Sequence, residues 1–417
     1  MDQPGTTAAH ADTTAVVGAT TEFEPDVMDL FVETLRRAVR GELPVVGTDT
    51  LLGALVMGDT DAGTAIAPGM RKAGSLSGVI SGRAGAGWVS DDEALGAPVA
   101  DRAEADGAEV DAAWREARWR FGLGSRGSAS DSGRVLPGMT GAMRACLLLA
   151  LRSARAEGTI SVRCRHVARA LLALPESRAR EALLLRGLDP DAAATALDGL
   201  DASAPRETEG KDSHGVTLLR RAGTLGKHGN RLTRALTSWT SGASVNGPPV
   251  LFAVSVEAVR QAVRCGRAAA EPVDLLLGIL ALDRALSVAG SSLPGSLTAA
   301  NAAATLLRRH GVRQASLVAS ASAMPSDAVP DGDGDGDGDG DGDRVRLSVA
   351  ADRIMAVARL SAAEHGSPTA GTVHLLSALL DESVTYADAG AGGVVVPAAD
   401  QVDVAALRAE LSLRLGA

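Results

Sequence analysis

The sequence predicts an all-α protein with two domains, each a pair of repeats of roughly four helices, joined by flexible linkers. Apolar residues recur at steps of three and four, as in Leu147, Ala150, Leu151 and Ala154, which places them on one helical face. Aromatic residues make up only 2% of the chain, so the core must be built from Ala, Leu and Val. These residues suit closely packed helices better than a β-sandwich.

A turn-and-helix pattern near the C-terminus, HGSPTAGTVHLLSALLDE, has counterparts in three other stretches. The four copies align without gaps on an alanine of their first helix: Ala38, Ala154, Ala262 and Ala362. Four residues later, three copies have a glycine, where a helix can end with positive φ, and the first copy has Glu42. Twelve residues after the alanine, an apolar run follows Thr50, His166, Asp274 and His374. The copies therefore predict a repeated helix–turn–helix unit.

The repeats and the composition between them divide the chain into eight segments. In order, these are a disordered tail at 1–22, a divergent repeat 1 at 23–84, a linker or insert at 85–135, repeat 2 at 136–200, a linker with a basic segment at 201–245, repeat 3 at 246–318, an Asp-Gly linker at 319–344 and repeat 4 at 345–417. A single repeat cannot easily bury its own apolar face. We therefore expect repeat 1 to pair with repeat 2, and repeat 3 with repeat 4.

The linkers have a polar, Gly-rich composition with two exceptions. The stretch 112–121 is an amphipathic patch that contains Trp114, Trp119 and Phe121, and it predicts either a helix inserted between repeats or a partner-binding stripe. The stretch 214–239 is basic and has one aromatic residue, Trp239. A solvated basic helix is the simplest interpretation of this segment, and a site for an anionic partner is the alternative.

The charge and the cysteines of the chain exclude several classes of site. The net charge is −10, but the Asp-Gly run at 331–343 supplies seven aspartates, which leaves −3 for the rest. That run lacks the closing Glu of a calcium loop and favours a solvated linker. Cys146, Cys164 and Cys265 lack metal-binding spacing and fit buried thiols in a reducing compartment.

No apolar run of about 18 residues is present, and the acidic N-terminus does not resemble a signal peptide. We therefore expect a cytoplasmic protein that has no membrane partner. We predict no cofactor, no metal site and no catalytic residues. The adjacent Glu364 and His365 cannot form the HExxH face that binds zinc, and no GxSxG motif is present.

These repeats resemble the N-terminal repeat of the Clp family of protein-unfolding ATPases. The resemblance lies in stretches such as MTGAMRACLLLALRSARAEG, VGTDTLLGAL and GTVHLLSALL, and it covers about 60–65% of the chain. The phosphate loop of the ATPase modules is missing, because the nearest approach, GTLGKHGN, has the wrong spacing. The resemblance implies an all-α docking module that binds clients and adaptor proteins. It also implies that the histidines before the apolar runs cap or orient a helix.

In family members that bind phosphorylated arginine, a Glu and a Thr are the binding residues. The Glu position is occupied here by Asp49, Arg165, Val273 and Val373. The Thr position is occupied by Glu24, Thr140, Pro248 and Ser348. Only Asp49 keeps a carboxylate, so the substitutions weigh against phosphoarginine as the ligand. By this resemblance, we expect Thr48, Asp49, Thr140, Ser348 and Thr372 to line a ligand- or peptide-binding groove.

The function that we predict is non-catalytic protein binding, as an adaptor, regulator or decoy in Clp-dependent proteolysis. The expected partners are Clp unfoldase or protease components or their clients, and a small peptide-like ligand is a further candidate. A peptidase-like hydrolase is one alternative, and a nucleic-acid-associated regulator that uses 214–239 is another. Nucleic acid is the less favoured partner, because the basic segment lacks interleaved aromatic residues.

Overall fold

The structure is a computed structural model of the 417-residue chain. It describes residues 20–58, 60–93, 103–124, 136–203, 211–225, 249–323, 345–387 and 402–416. These residues are mostly helical and have a few two-residue strands, which confirms the predicted all-α class. The chain divides into a first unit, Thr21–Ser213 with Val263–Gly266, and a second unit, Met1–Thr20 with His214–Ala262 and Arg267–Ala417.

The first unit contains repeats 1 and 2. Its helices are α1 (Pro25–Arg40), α2 (Thr48–Met57), α3 (Asp61–Ile66), α4 (Met70–Ala86), α5 (Ala103–Gly124), α6 (Gly141–Ala156), α7 (Cys164–Ala173), α8 (Arg178–Leu185) and α9 (Pro190–Ser203). Its strands are β1 (Glu22–Phe23), β2 (Val45–Val46), β3 (Gly138–Met139) and β4 (Ser161–Val162). Strand β1 pairs in parallel with β4, and β2 pairs in parallel with β3. Each repeat therefore contributes one strand to each pair.

The second unit contains repeats 3 and 4, except for Val263–Gly266. Its helices are α10 (His214–Arg221), α11 (Pro249–Arg264), α12 (Pro272–Val288), α13 (Gly295–Thr298), α14 (Ala303–Arg309), α15 (Gln314–Ala323), α16 (Val349–Glu364), α17 (Thr372–Ala387) and α18 (Val404–Leu415). A 3-10 turn, Ala299–Asn301, precedes α14. Strand β5 (Ala269–Ala270) pairs in parallel with β6 (Arg346–Leu347), which joins repeat 3 to repeat 4.

The helices keep the register of the sequence repeat. The opening helices α1, α6, α11 and α16 each have 16 residues, and the next helix of the repeat begins eight residues after each one ends. The helix-ending glycines have positive φ values of 71° at Gly158, 77° at Gly266 and 63° at Gly366. Glu42 keeps this left-handed conformation with φ of 52°, although it has a side chain. The turn geometry is thus retained in the divergent first copy.

The segment 85–135 is not a bare linker, because it contains α5. Trp114 and Phe121 of α5 are buried in the core of the first unit, and the Trp114 ring meets Phe31 edge-on at a centroid distance of 6.1 Å. Burial of two large aromatic side chains stabilises the unit by several kcal/mol. The amphipathic patch therefore packs inside the unit and is not a partner-binding stripe.

The segment 201–245 contains α10, whose Val216 and Leu219 are buried. The rest of the basic segment, 226–239, and the Asp-Gly run lie outside the described residues, as do the tail residues 1–19. Cys146 and Cys164 are buried free thiols, and Cys265 is half-buried. None of the helices in the described ranges has the length and apolar character needed to cross a lipid bilayer.

Candidate functional site

Two of the five predicted groove residues are helix caps. Thr140 is the N-cap of α6, and its Oγ1 accepts a hydrogen bond from Met143 N at 3.2 Å. Ser348 is the N-cap of α16, and its Oγ accepts from Ala351 N at 3.2 Å. Such bonds satisfy backbone donors that a helix start leaves unpaired. The hydroxyls of Thr140 and Ser348 are thus already engaged within the fold.

Thr48 and Asp49 begin α2 and form, together with Asp92 and Arg178, what we call the Thr48 junction. The Asp92 carboxylate accepts hydrogen bonds from Thr48 N at 2.7 Å, from Thr48 Oγ1 at 2.9 Å and from Arg178 N at 2.9 Å. The Asp92 carbonyl accepts from Ala142 N at 2.7 Å. One fully buried residue therefore satisfies backbone donors at the starts of α2, α8 and α6, where the helix dipoles favour negative charge.

The Thr48 hydroxyl has a second bond that ties the two repeats together. Its Oγ1 donates to Asp92 and accepts from Ala179 N, in the first turn of α8, at 3.1 Å. Thr48 belongs to repeat 1 and Ala179 to repeat 2. The threonine hydroxyl thus acts as donor and acceptor at once, which uses its one donor hydrogen and one of its two acceptor lone pairs.

Asp49 is the group of this junction whose buried carboxylate is incompletely hydrogen-bonded. It is only 3% exposed, and its Oδ1 has no hydrogen-bond partner among the described residues. Burial and, next, the nearby Asp92 carboxylate raise the pKa of Asp49 to about 6, while Arg178 acts in the opposite direction. A Cβ on Gly47 would lie 3.0 Å from Asp92 Oδ2 and 3.3 Å from Arg178 Nη1. The bare glycine therefore allows these charged groups to converge.

Thr372 forms a similar junction in the second unit, which we call the Thr372 junction. Thr372 N donates to Asn301 Oδ1 at 3.0 Å, and Thr372 Oγ1 accepts from Ala303 N, at the start of α14, at 3.3 Å. Thr372 belongs to repeat 4, and α14, whose first residue it contacts, belongs to repeat 3. The glycine before it, Gly371, packs directly on the backbone carbonyl of Ala300.

The structure places three of the five predicted residues, Thr48, Asp49 and Thr140, in the first unit and the other two, Ser348 and Thr372, in the second. In the first unit, Thr140 N donates to Val46 O at 2.9 Å, two residues before Thr48, so Thr140 lies beside the Thr48 junction. In the second unit, Ser348 N donates to Ala270 O at 2.9 Å, whereas Thr372 contacts Asn301 and Ala303. Four of the five side chains are buried and make contacts within the fold: Thr48, Asp49, Thr140 and Thr372.

The histidines before the apolar runs cap helices, as the resemblance implies. His166 Nδ1 accepts from Arg163 N at 2.8 Å, and His374 Nδ1 accepts from Gly371 N at 3.1 Å. At the same repeat position, Asp274 Oδ2 accepts from Glu271 N at 2.8 Å. Burial lowers the pKa of both histidines, which fits rings that stay neutral and use Nδ1 as an acceptor. The predicted capping role is confirmed.

The second unit has a cleft where repeats 3 and 4 meet, which we call the repeat 3–4 cleft. Its volume is about 300 Å³. Its lining residues are Ala222, Gly223, Thr224, Pro249, Val250, Pro294, Ser296, Leu297, Asn301, Thr369 and Ala370. None of them is charged. The cleft adjoins the Thr372 junction through Asn301, and it begins at the first residues of α11.

Sequence reasoning missed Asp92 and this cleft. Asp92 stands in a polar stretch, GWVSDDEALG, whose composition predicts a linker, and one acid beside another carries no local signal for a buried cap. The cleft is formed by four separate stretches of chain, so no single motif marks it. Within the described residues, no group of three or more His, Cys, Asp or Glu side chains is arranged to hold a metal ion.

Comparison of the chain with protein-family models, with curated proteins and with solved structures finds no match. The motifs and geometry of the chain itself are therefore the basis for assigning a function.

Proposed function

We propose that the chain is a non-catalytic protein-binding module that resembles the client and adaptor docking domain of Clp unfoldases. It acts as an adaptor, regulator or decoy in Clp-dependent proteolysis. The observation that carries this proposal is the repeat 3–4 cleft, which is uncharged, mainly apolar and lined by residues of repeats 3 and 4 and of the turn after α10. Ligand sites are typically concave, mainly apolar and furnished with a few polar groups that fix orientation.

The cleft favours a short peptide segment as its ligand. The apolar part of the lining consists of Pro249, Val250, Pro294 and Leu297, and Asn301 is one of the polar lining residues. A volume of about 300 Å³ accommodates a few side chains rather than a whole helix. An uncharged wall gives no electrostatic attraction for a phosphate backbone. It therefore fits the apolar side chains of a client or adaptor segment better than nucleic acid.

The use of the polar residues supports a role without catalysis. A nucleophile or general base must lie within hydrogen-bond reach of the reacting atoms and be oriented toward them. The hydroxyls of Thr48, Thr140 and Ser348 and the Nδ1 atoms of His166 and His374 are instead bonded to backbone amides. These groups hold helix starts in place.

The test is a binding experiment with two purified probes, a Clp unfoldase and a labelled, permanently unfolded model client. Ser296 lies exposed on the wall of the cleft, so Ser296→Trp should fill the cavity without disturbing the core. Ser412→Trp on α18 is the matched control, because Ser412 is exposed and lies outside the cleft. Fluorescence anisotropy of the full chain with each probe gives the affinities.

We expect at least one probe to bind the unmodified chain. We expect Ser296→Trp to weaken that binding about tenfold or more, and Ser412→Trp to leave it unchanged. If neither probe binds the unmodified chain, the proposed function is wrong. Equal binding by both variants would contradict the assignment of the site to the repeat 3–4 cleft.

A further inference from the structure

Helix α16 presents an apolar stripe on its outer face. Val349 is 88% exposed and Leu360 is 64% exposed. At 100° per residue, Val349, Ala356, Leu360 and Ala363 fall within an arc of about 60°. An exposed stripe of this kind along a whole helix is typical of an interaction surface.

The equivalent face in the first unit is a surface on which a helix docks. Helix α6 occupies in repeat 2 the place that α16 occupies in repeat 4, and α5 packs against it. Arg144 of α6 bonds Asp111 of α5, with Nη2 to Oδ2 at 2.9 Å. Arg152 and Arg155 of α6 both pair with Asp106 of α5. The fold therefore has one example of a helix covering this face.

The α16 face lacks those arginines. The repeat register aligns Arg144 with Asp352, Arg152 with Leu360, and Arg155 with Ala363. An acidic helix like α5 would find no cationic partners at these positions. The exposure of Val349 and Leu360 shows that the described residues leave the α16 stripe uncovered. The stripe thus suits a partner that is itself apolar.

The charges along one edge of the stripe complement a second copy of the same helix, whereas Arg353 on the other edge pairs with Glu382 of its own chain. Asp352 and Arg359 lie seven residues apart along one edge of the stripe, and neither forms an ion pair among the described residues. If two copies of α16 pack antiparallel with a two-fold axis beside Ala356, Asp352 of each copy lies opposite Arg359 of the other. The small Ala356 at the crossing point allows the helix axes to approach to about 8 Å.

We propose that the α16 stripe is a dimer interface, occupied by the α16 of a second copy of this chain in antiparallel orientation. The surface is separate from the repeat 3–4 cleft, and the proposal does not depend on the proposed function. A single helix face is smaller than the roughly 800 Å² per partner of a standard stable interface. The dimer is therefore weak and reversible, and its population rises with protein concentration.

The first test is sedimentation velocity of the full chain from about 1 to about 200 μM. The expected mass rises with concentration from the 42.2 kDa of one chain toward twice that value. Leu360→Asp places a charge in the stripe and should weaken association at least tenfold. Leu184→Asp is the matched control, since Leu184 is 60% exposed on α8 and is not part of the stripe. A chain that stays monomeric at the highest concentration overturns the proposal.

The second test is a charge reversal that only the antiparallel arrangement explains. Asp352→Arg alone or Arg359→Asp alone should weaken the dimer, because each places like charges opposite one another. The double variant should restore association to within about threefold of the unmodified chain. Both positions are exposed, and circular dichroism verifies that helicity is kept. If Leu360→Asp does not weaken self-association, or if the double variant does not regain it, this interface is wrong.

Discussion

The Thr48 and Thr372 junctions have the same hydrogen-bond plan and different charges. In each, a Gly-Thr step begins a repeat's second helix, and the threonine hydroxyl accepts from the start of a helix in the partner repeat. The threonine amide is capped by the Asp92 carboxylate in the first unit and by the Asn301 amide oxygen in the second. The next residue is Asp49 in one and Val373 in the other.

This difference shows that the same hydrogen-bond geometry can be built with a charged cap, Asp92, or with a neutral one, Asn301. The charged cap at Asp92 joins the starts of three helices, because a carboxylate can accept several bonds and the helix dipoles favour it. Asp49 is a second carboxylate at the same junction, and its burial, followed by the nearby Asp92 carboxylate, raises the pKa of Asp49 to about 6. The neutral Thr372 junction has no such conflict. The first unit is therefore the one whose stability should depend on these acids.

The largest expected effect comes from removing the charged cap. Asp92→Ala leaves Thr48 N, Thr48 Oγ1 and Arg178 N buried without their acceptor, and we expect a loss of about 4 kcal/mol in the free energy of unfolding. Asn301→Ala removes two neutral hydrogen bonds, the one that Oδ1 accepts from Thr372 N and the one that Nδ2 donates to Leu297 O, and should cost about 1–2 kcal/mol. Urea unfolding of the full chain measures both. Hydrogen exchange at the starts of α2 and α17 localises the loss. Equal effects would mean that charge does not distinguish the junctions.

The second-largest expected effect is a pH-dependent increase in folding stability from Asp49→Asn. The folded-state pKa of Asp49 is raised from 3.8 to about 6, so the folded protein holds this proton more tightly than the unfolded chain does. The resulting contribution of Asp49 to the free energy of unfolding is fully present below pH 3.8 and is lost as the pH rises through 6. The amide variant lacks that loss. At pH 7.5 it should be more stable than the unmodified chain by up to about 3 kcal/mol, and the two should converge near pH 3.5. Asp49→Val, which copies the Thr372 junction, should show the same trend.

Thermal unfolding at a series of pH values tests this prediction. The exposed Asp61→Asn is the control, and its effect on stability should stay within about 0.5 kcal/mol at every pH. A difference between Asp49→Asn and the unmodified chain that does not change with pH would show that Asp49 does not titrate in this window.

The smallest effects concern the glycines of the two junctions. A Cβ on Gly371 would overlap the backbone carbonyl of Ala300, which cannot move without displacing the turn. A Cβ on Gly47 would overlap the end of the Asp49 side chain, which can rotate. We therefore expect Gly371→Ala to cost about 2 kcal/mol and Gly47→Ala about 1 kcal/mol. Differential scanning calorimetry compares them, and the reverse order would show that the Asp49 carboxylate is the more rigid group.

Local patterns predicted much of the helical framework. The apolar spacing, the helix-ending glycines and the capping histidines all involve residues within a few positions of one another, so the sequence marks them directly. His166 and His374 illustrate this point, since each caps an amide three residues away. The division into linkers was less informative, because composition described 85–135 as polar and did not reveal that Trp114 lies in the core.

The sequence by itself determined the all-α class, the register of the four repeats and the local caps. Only the tertiary structure decided that β1 pairs with β4 and β2 with β3, that Asp92 caps helix starts 44 and 86 residues away, and that the repeat 3–4 cleft exists. The physical reason is the separation in sequence between the residues that make contact. A helix start and its cap are fixed by neighbouring dihedral angles, whereas these contacts form only when packing of the repeats brings distant residues together.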